Sequence, residues 1–280
     1  MKLTTSLITF FLVLLIQTTH CQEPSSDFMN RVNFIFANVD HSKVTTGLLS
    51  DYGLQFAPPE YYNGSLLDSN YLDISIFKML YAGMDNSIFN DNFTLPGQTA
   101  VFNNISSSDP VGDSPIPIAS MCINYNCFKP DAYTGGLVTV LNDQIFDVAG
   151  KNPYDSRILF ASTPIRLNYL SNSIQFVLKS SLYYTNTSKT ISSISIDMGD
   201  ETGFRTVNWD TPFLVAYSSK GTKVFTIKFS FTDGTVLQSH GKIIVNFSTQ
   251  LKSATAYYIT DPITNTFFAN SDHSGGIVTV

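Results

Sequence analysis

Charge is the scarcest resource of this 280-residue chain: Lys, Arg, Asp and Glu together make 14% of it, against about 25% in an ordinary globular protein. With 16 basic and 22 acidic residues the formal charge is −6. No Lys/Arg cluster is present, which excludes the electrostatic footprint of a nucleic-acid binder. Cysteine is limited to three and tryptophan to one, so a disulfide-dense scaffold is excluded as well. Glycine and proline, at 16 and 12, are too few for a collagen-like or low-complexity chain. Catalytic signatures are missing too: there is no Gly-x-Ser-x-Gly elbow, no His-Glu-x-x-His and no phosphate-binding glycine loop. Paired carboxylates far apart in the chain stay open as a glycoside-cleaving arrangement, though so low a charge density disfavours them.

What is abundant is apolar and aromatic. Hydrophobic residues make 43% of the chain, with 22 Phe and 14 Tyr, enough for a sizeable core and too much for disorder. The longest apolar run, Leu7 to Ile16 behind Lys2, is followed by a polar exit. It is too short for a membrane span, which takes about 20 residues, and has the layout of a secretory signal peptide over residues 1–21. No later stretch reads as transmembrane. Cleavage just after Cys21 or Gln22 removes that cysteine, whereas lipidation of Cys21 is the alternative. The expected location is extracellular, periplasmic or cell-surface.

After the leader, residues 24–103 read as a partly helical region. Asp27 precedes apolar positions Phe28, Met29, Val32, Ile35 and Phe36 on one helical face. Asn70 and Asp73 suggest a capped start before Leu72, Ile76, Met79 and Leu80. Residues 104–118, with three prolines and several serines, read as a linker. Residues 119–183 form a β-rich region and residues 184–248 show the clearest strand alternation, with Phe225, Ile227, Phe229 and Phe231 on one face and Asp233-Gly234 as a hairpin turn. This pattern implies a small β-sandwich. The expected class is therefore α+β, mostly β. Residues 249–280 form a last β segment, in which Ser274 to Val280 echoes Thr134 to Val140. Its end in mid-strand suggests a shortened form.

The candidate site residues are few. Cys122 and Cys127 are expected to pair in an oxidising compartment, closing a short turn. A metal there would need further ligands, and no His lies near. Asp197, Asp200 and Glu201 could offer oxygens to Ca²⁺ or, more simply, fix a turn through main-chain N–H groups. The adjacent pairs Tyr61-Tyr62, Tyr183-Tyr184 and Tyr257-Tyr258 should each place one ring outward if they lie in strands. Such rings could contact a sugar or a protein, or pack across strands. Sequons occur at Asn63, Asn92, Asn104, Asn186 and Asn246; they would carry glycans in a eukaryote.

Ile196-Asp197-Met198-Gly199-Asp200, then Tyr217 to Val224, then Ile227 to Gly234 resemble a PKD domain, an immunoglobulin-like module. The resemblance covers roughly residues 186–247. It departs where Met198 replaces an aromatic residue, Glu201 replaces Gly and Lys223 replaces the second Tyr. The order of segments, with the phrase Lys43 to Gly53, is similar to the N-terminal region of large secreted Bacteroidetes proteins that continue into a lipase-like α/β-hydrolase domain. The absence of a catalytic constellation together with the sandwich pattern leads us to expect a secreted, non-catalytic binding or spacer module, and the PKD resemblance implies contact with polysaccharide, a surface protein or a neighbouring domain. Alternatively, the wider likeness implies an accessory part of a hydrolase whose catalytic domain lies beyond residue 280; no cofactor is expected apart from Ca²⁺ at the acidic turn.

Overall fold

The computed structural model describes residues 26–44, 48–49, 58–87, 95–112 and 114–247, and three further strands at 258–260, 266–269 and 276–279. The leader and Cys21 lie outside the described residues. Three helices, α1 (Ser26–Phe36), α2 (Ile74–Ser87) and α3 (Gln98–Ser107), precede a long run of strands. The protein is α+β and mostly β, as its composition and alternation predict.

Ten strands build two five-stranded sheets. In the first, β1 (Leu48–Leu49), β2 (Ile116–Phe128), β7 (Ser173–Thr185) and β10 (Phe213–Ala216) follow in order, with β5 (Tyr154–Pro164) on the other side of β2. In the second, the order is β6 (Asn168–Tyr169), β12 (Val236–Val245), β11 (Gly221–Phe231), β8 (Ile191–Asp197) and β9 (Arg205–Val207). The short hairpin of β3 (Val138–Leu141) and β4 (Gln144–Asp147) stands apart, as do β13 (Tyr258–Thr260), β14 (Thr266–Ala269) and β15 (Gly276–Thr279).

The two sheets pack face to face around Phe229. Its ring meets Phe160 at 5.1 Å, Trp209 at 5.8 Å and Tyr183 at 5.9 Å between centroids. The first sheet is also covered on its far side. Phe77, Leu80, Tyr81 and Met84, spaced for one helical face, are buried from α2, and Tyr81 meets Tyr184 edge-on at 5.5 Å. This is why β2 is buried almost continuously, as a strand covered on both faces must be.

The expected division into modules is corrected here. Strand β7 runs straight through the supposed boundary at 183/184. Residues 184–248 supply four strands of one sheet but only β10 to the other, while β6 from the earlier region joins the second sheet. One sandwich therefore draws strands from both regions, because strand pairing between distant segments leaves no local mark. The linker at 104–118 shrinks as well: residues 104–107 belong to α3 and residues 116–118 to β2. Val101 and Ile105, one turn apart, are the buried side of α3. Its first N–H groups are reached from outside, the amide of Gln98 donating to Asp85 Oδ2 at 2.9 Å.

At the start of α2, Asp73 is the cap: its Oδ1 accepts the N–H of Ile76 at 2.9 Å. Asn70 instead orders the segment before it. Residues 62–72 form a strap across the open side of the sandwich. Tyr62 O accepts the N–H of Phe160 in β5. Gly64 O and Leu72 O accept from Gln238 and Lys242 in β12, and Leu72 N–H donates to His240 O. Gly241 permits this approach, since a Cβ there would stand 2.1 Å from Leu72 O.

Candidate functional site

The acidic turn resolves into internal bonds. Asp197 Oδ1 accepts the N–H of Gly199 at 2.8 Å. Asp200 receives Arg205 at 2.5 and 2.6 Å and the Thr202 hydroxyl at 2.9 Å. These bonds to Arg205 and Thr202 hold its carboxyl below the usual range, although burial pulls the other way. Arg205 reaches on to Leu214 O. Gly199 sits at φ +68°, and a Cβ there would stand 2.3 Å from Val224 O. Glu201, exposed at φ +67°, points no bond at the turn's other acids. Met198 is fully buried and Tyr217 donates its hydroxyl to Met198 O at 3.0 Å. The carboxylates are thus already occupied in fixing the turn, and no group of three or more His, Cys, Asp or Glu suited to a metal occurs among the described residues.

The expected Cys122–Cys127 disulfide is corrected. Both residues are buried thiols on one continuous strand. Five extended residues span roughly 16 Å, against a Cα separation of about 7 Å at most across a disulfide. An odd spacing also sends the two side chains to opposite faces. Cys122 shares its face with Phe160, toward the second sheet, and Cys127 shares that of Tyr125, toward the helices. Burial pushes the Cys122 thiol up to about 12.

The tyrosine pairs divide. Tyr61 is half exposed and Tyr62 buried, the alternation expected, though in a turn of 3₁₀ helix and not a strand. Tyr183 and Tyr184 are both inward. Tyr184 packs on Tyr81, and Tyr183 lies against Trp209 and Phe229. Their strand has no solvent face at that point because helices cover one side and a sheet the other. Tyr257 lies outside the described residues, and Tyr258 is described only as backbone of β13.

A different place in the molecule has the features of a site. Beyond Ile158, the outer edge of β5 is covered, Phe160 by Tyr62 O and Ser162 by the Ser239 hydroxyl. The even-numbered residues of β5 therefore direct their main chain outward, and those of Ser156 and Ile158 meet no main-chain partner on that side among the described residues. Two clefts border this open stretch. One, of about 370 Å³, is lined by Glu60, Asn63, Tyr125, Ser156, Arg157 and Ile158. The other, of about 400 Å³, shares Tyr125, Ser156, Arg157 and Ile158 and adds Asn124, Asn126, Lys189 and Leu237.

Tyr125 is the notable member. It is 2% exposed, yet its hydroxyl has no hydrogen-bond partner. Leaving such a group unbonded costs about 1–3 kcal/mol. Burial raises its phenol, and the neighbouring Arg157 guanidinium pulls in the opposite direction. Arg157 is held loosely, 3.9 Å from Asp155. Lys189, by contrast, is engaged by Asp233 at 2.6 Å and by Thr235. None of these residues stood out in the sequence. The available signal was Asn124-Tyr125-Asn126, a polar interruption inside an otherwise apolar strand.

Of the described histidines, His240 has its Nε2 shared between Leu67 O at 2.9 Å and Asn70 Oδ1 at 2.7 Å. Its ring is bound into the strap.

Comparison with protein-family models gives no match, and no curated protein matches. Among solved structures, the chain is weakly similar to the PKD domain of the KIAA 1837 protein, solved in solution. Identity is 20%, 30% of this chain and 79% of that domain are covered, and the TM-score is 0.21. Nothing in these comparisons supports the wider likeness to secreted Bacteroidetes proteins or a lipase-like context. No described helix is long and apolar enough to cross a membrane.

Proposed function

We infer that this is an exported, non-catalytic binding module whose contact surface is the double cleft at the open end of β5. What supports the binding role is Tyr125, which lines both clefts and whose buried hydroxyl, beside the Arg157 guanidinium, makes no hydrogen bond of normal geometry. Native interiors rarely leave such a group unpaired, and a ligand atom entering the cleft supplies the missing partner. The surrounding Glu60, Asn63 and Arg157 offer donors and acceptors of both signs, which suits a polar ligand. Export is supported by the N-terminal leader pattern and by the sparse charge.

The non-catalytic reading is supported by how the reactive groups are used. Cys122 is a raised, buried thiol, His240 is tied to Asn70 and Leu67, and Asp197 and Asp200 hold a turn. Titrating the isotopically labelled mature chain with panels of soluble oligosaccharides and linear peptides tests the site. Shift changes should centre on Tyr125, Arg157 and Asn63, and Tyr125→Phe should weaken them. Binding that maps elsewhere, or hydrolysis of short acyl esters by the purified chain, would overturn this function.

A further inference from the structure

Resting on the cleft as a binding site, we propose that its ligand is an extended polypeptide segment carrying an asparagine or glutamine, which adds to β5 as a further strand. The open edge sets the main-chain half of this. Ser156 and Ile158 each turn an N–H and a C=O outward, with no main-chain partner there among the described residues. An incoming strand pairs with such groups at a two-residue repeat of about 7 Å. The rest of that edge is already taken by Tyr62 and Ser239, so the register available to a guest is short and fixed.

The two clefts set the side-chain half. Successive side chains of an added strand point to opposite faces, and the two clefts border the same three residues of β5, one beside Glu60 and Asn63 and the other beside Lys189 and Leu237. The cleft beside Asn63 is lined by Tyr125, Arg157 and Glu60. A side-chain amide matches this mixture: its carbonyl accepts from Tyr125 and Arg157 and its NH₂ donates to Glu60. A carboxylate would meet Glu60, and an ammonium would meet Arg157. In the other cleft, Ile158 and Leu237 beside Asn124 and Asn126 accept an aliphatic or small polar residue. A sugar could bond Tyr125 and Arg157, but its hydroxyls do not follow the donor–acceptor alternation of the strand edge.

Linear heptapeptides selected from a displayed random library on the full mature chain, then synthesised, provide the test. Enriched peptides should share an Asn or Gln, and replacing it by Leu should weaken binding at least fivefold to the native protein but not to Tyr125→Phe. Ser156→Pro removes an N–H that bonds no main-chain group within the protein and should weaken binding at least tenfold. Should that variant unfold at a lower temperature, single N-methylation along the peptide decides without altering the protein: methyl groups on alternate residues should abolish binding and the others should not. No enriched peptide, or binding indifferent to N-methylation at every position, overturns strand addition. Oligosaccharides retained by the native protein and lost with Arg157→Ala would keep the cleft as a site and overturn the peptide; absence of both kinds of ligand overturns both.

Discussion

Nε2 of His240 lies 2.7 Å from Oδ1 of Asn70, 170 positions away in the chain. The identity of that oxygen is fixed by the rest of the residue. Leu67 N–H donates to it, while Asn70 Nδ2 donates to Tyr61 O and Ser65 O. Nε2 must therefore carry the hydrogen, shared with Leu67 O, and the neutral ring stacks on Tyr71 at 4.1 Å. One asparagine orders the strap internally, and one histidine fastens it to the second sheet.

Acid should loosen that fastening. Burial lowers the affinity of His240 for a second proton, and the nearby Lys242 adds to this, against the pull of Leu67 O and Asp68. A group whose folded pKa lies below its unfolded value near 6.5 binds protons better when unfolded. Stability linked to it is complete above about pH 7 and is lost as pH falls through 6.5 toward the folded pKa. His240→Gln should be less stable at pH 7.5 and show a flatter decline between pH 7 and 5. Parallel melting curves of the two proteins across that range check this; identical slopes would remove His240 from the account.

Cys122 and Cys127 should remain thiols even in protein recovered from an oxidising medium. Denaturation without reductant should give two alkylated cysteines in the mature chain, and a mass two hydrogens lower with no label would refute it. In the native state neither should react within minutes at pH 8, since both are buried and the Cys122 thiol is raised to about 12.

Two glycines at positive φ should respond differently to a methyl group. Gly199 and Gly203 have φ of +68° and +75°, but only at Gly199 would a Cβ strike backbone, 2.3 Å from Val224 O. Gly203→Ala carries the left-handed penalty alone, about 1–2 kcal/mol. Gly199→Ala adds displacement of β11 and should exceed it by at least 1 kcal/mol. Urea unfolding of both variants makes the comparison.

Millimolar Ca²⁺ should leave the melting temperature unchanged, because the Asp200 carboxylate is already held by Arg205 and Thr202. Asp200→Asn should destabilise by about 1–3 kcal/mol by weakening bonds to a mostly buried partner pair. A calcium-dependent rise in melting temperature that Asp200→Asn abolishes would restore the metal reading.

Local pattern carried much of the fold. The helix α1, which starts one residue before the expected cap Asp27, the face of α2, and the alternation of Phe225, Ile227 and Phe229 before the Asp233-Gly234 turn were all legible. Helix α3 was not, since two buried apolar residues in a stretch of Asn and Ser give no clear period. Nor was the β3–β4 hairpin, whose turn uses Asn142 and Asp143 at φ 51° and 61° in place of a glycine. The site was hidden for a more basic reason. Glu60, Tyr125 and Arg157 meet only after β2 pairs with β5 and the strap crosses that edge, and neither pairing is written in adjacent residues.

The strap also orders events in time. Its anchor in β12 emerges from the ribosome 170 residues after Asn70, and at about 5–20 residues per second that is a wait of roughly 10–30 s. Within that wait, the outer edge of β5 lacks its second covering from the moment it is made: Ser162 precedes Ser239 by 77 residues, or about 4–15 s at the same rate. A nascent chain of this protein thus carries an exposed β edge for that interval, and any factor that shields such edges has its opportunity there.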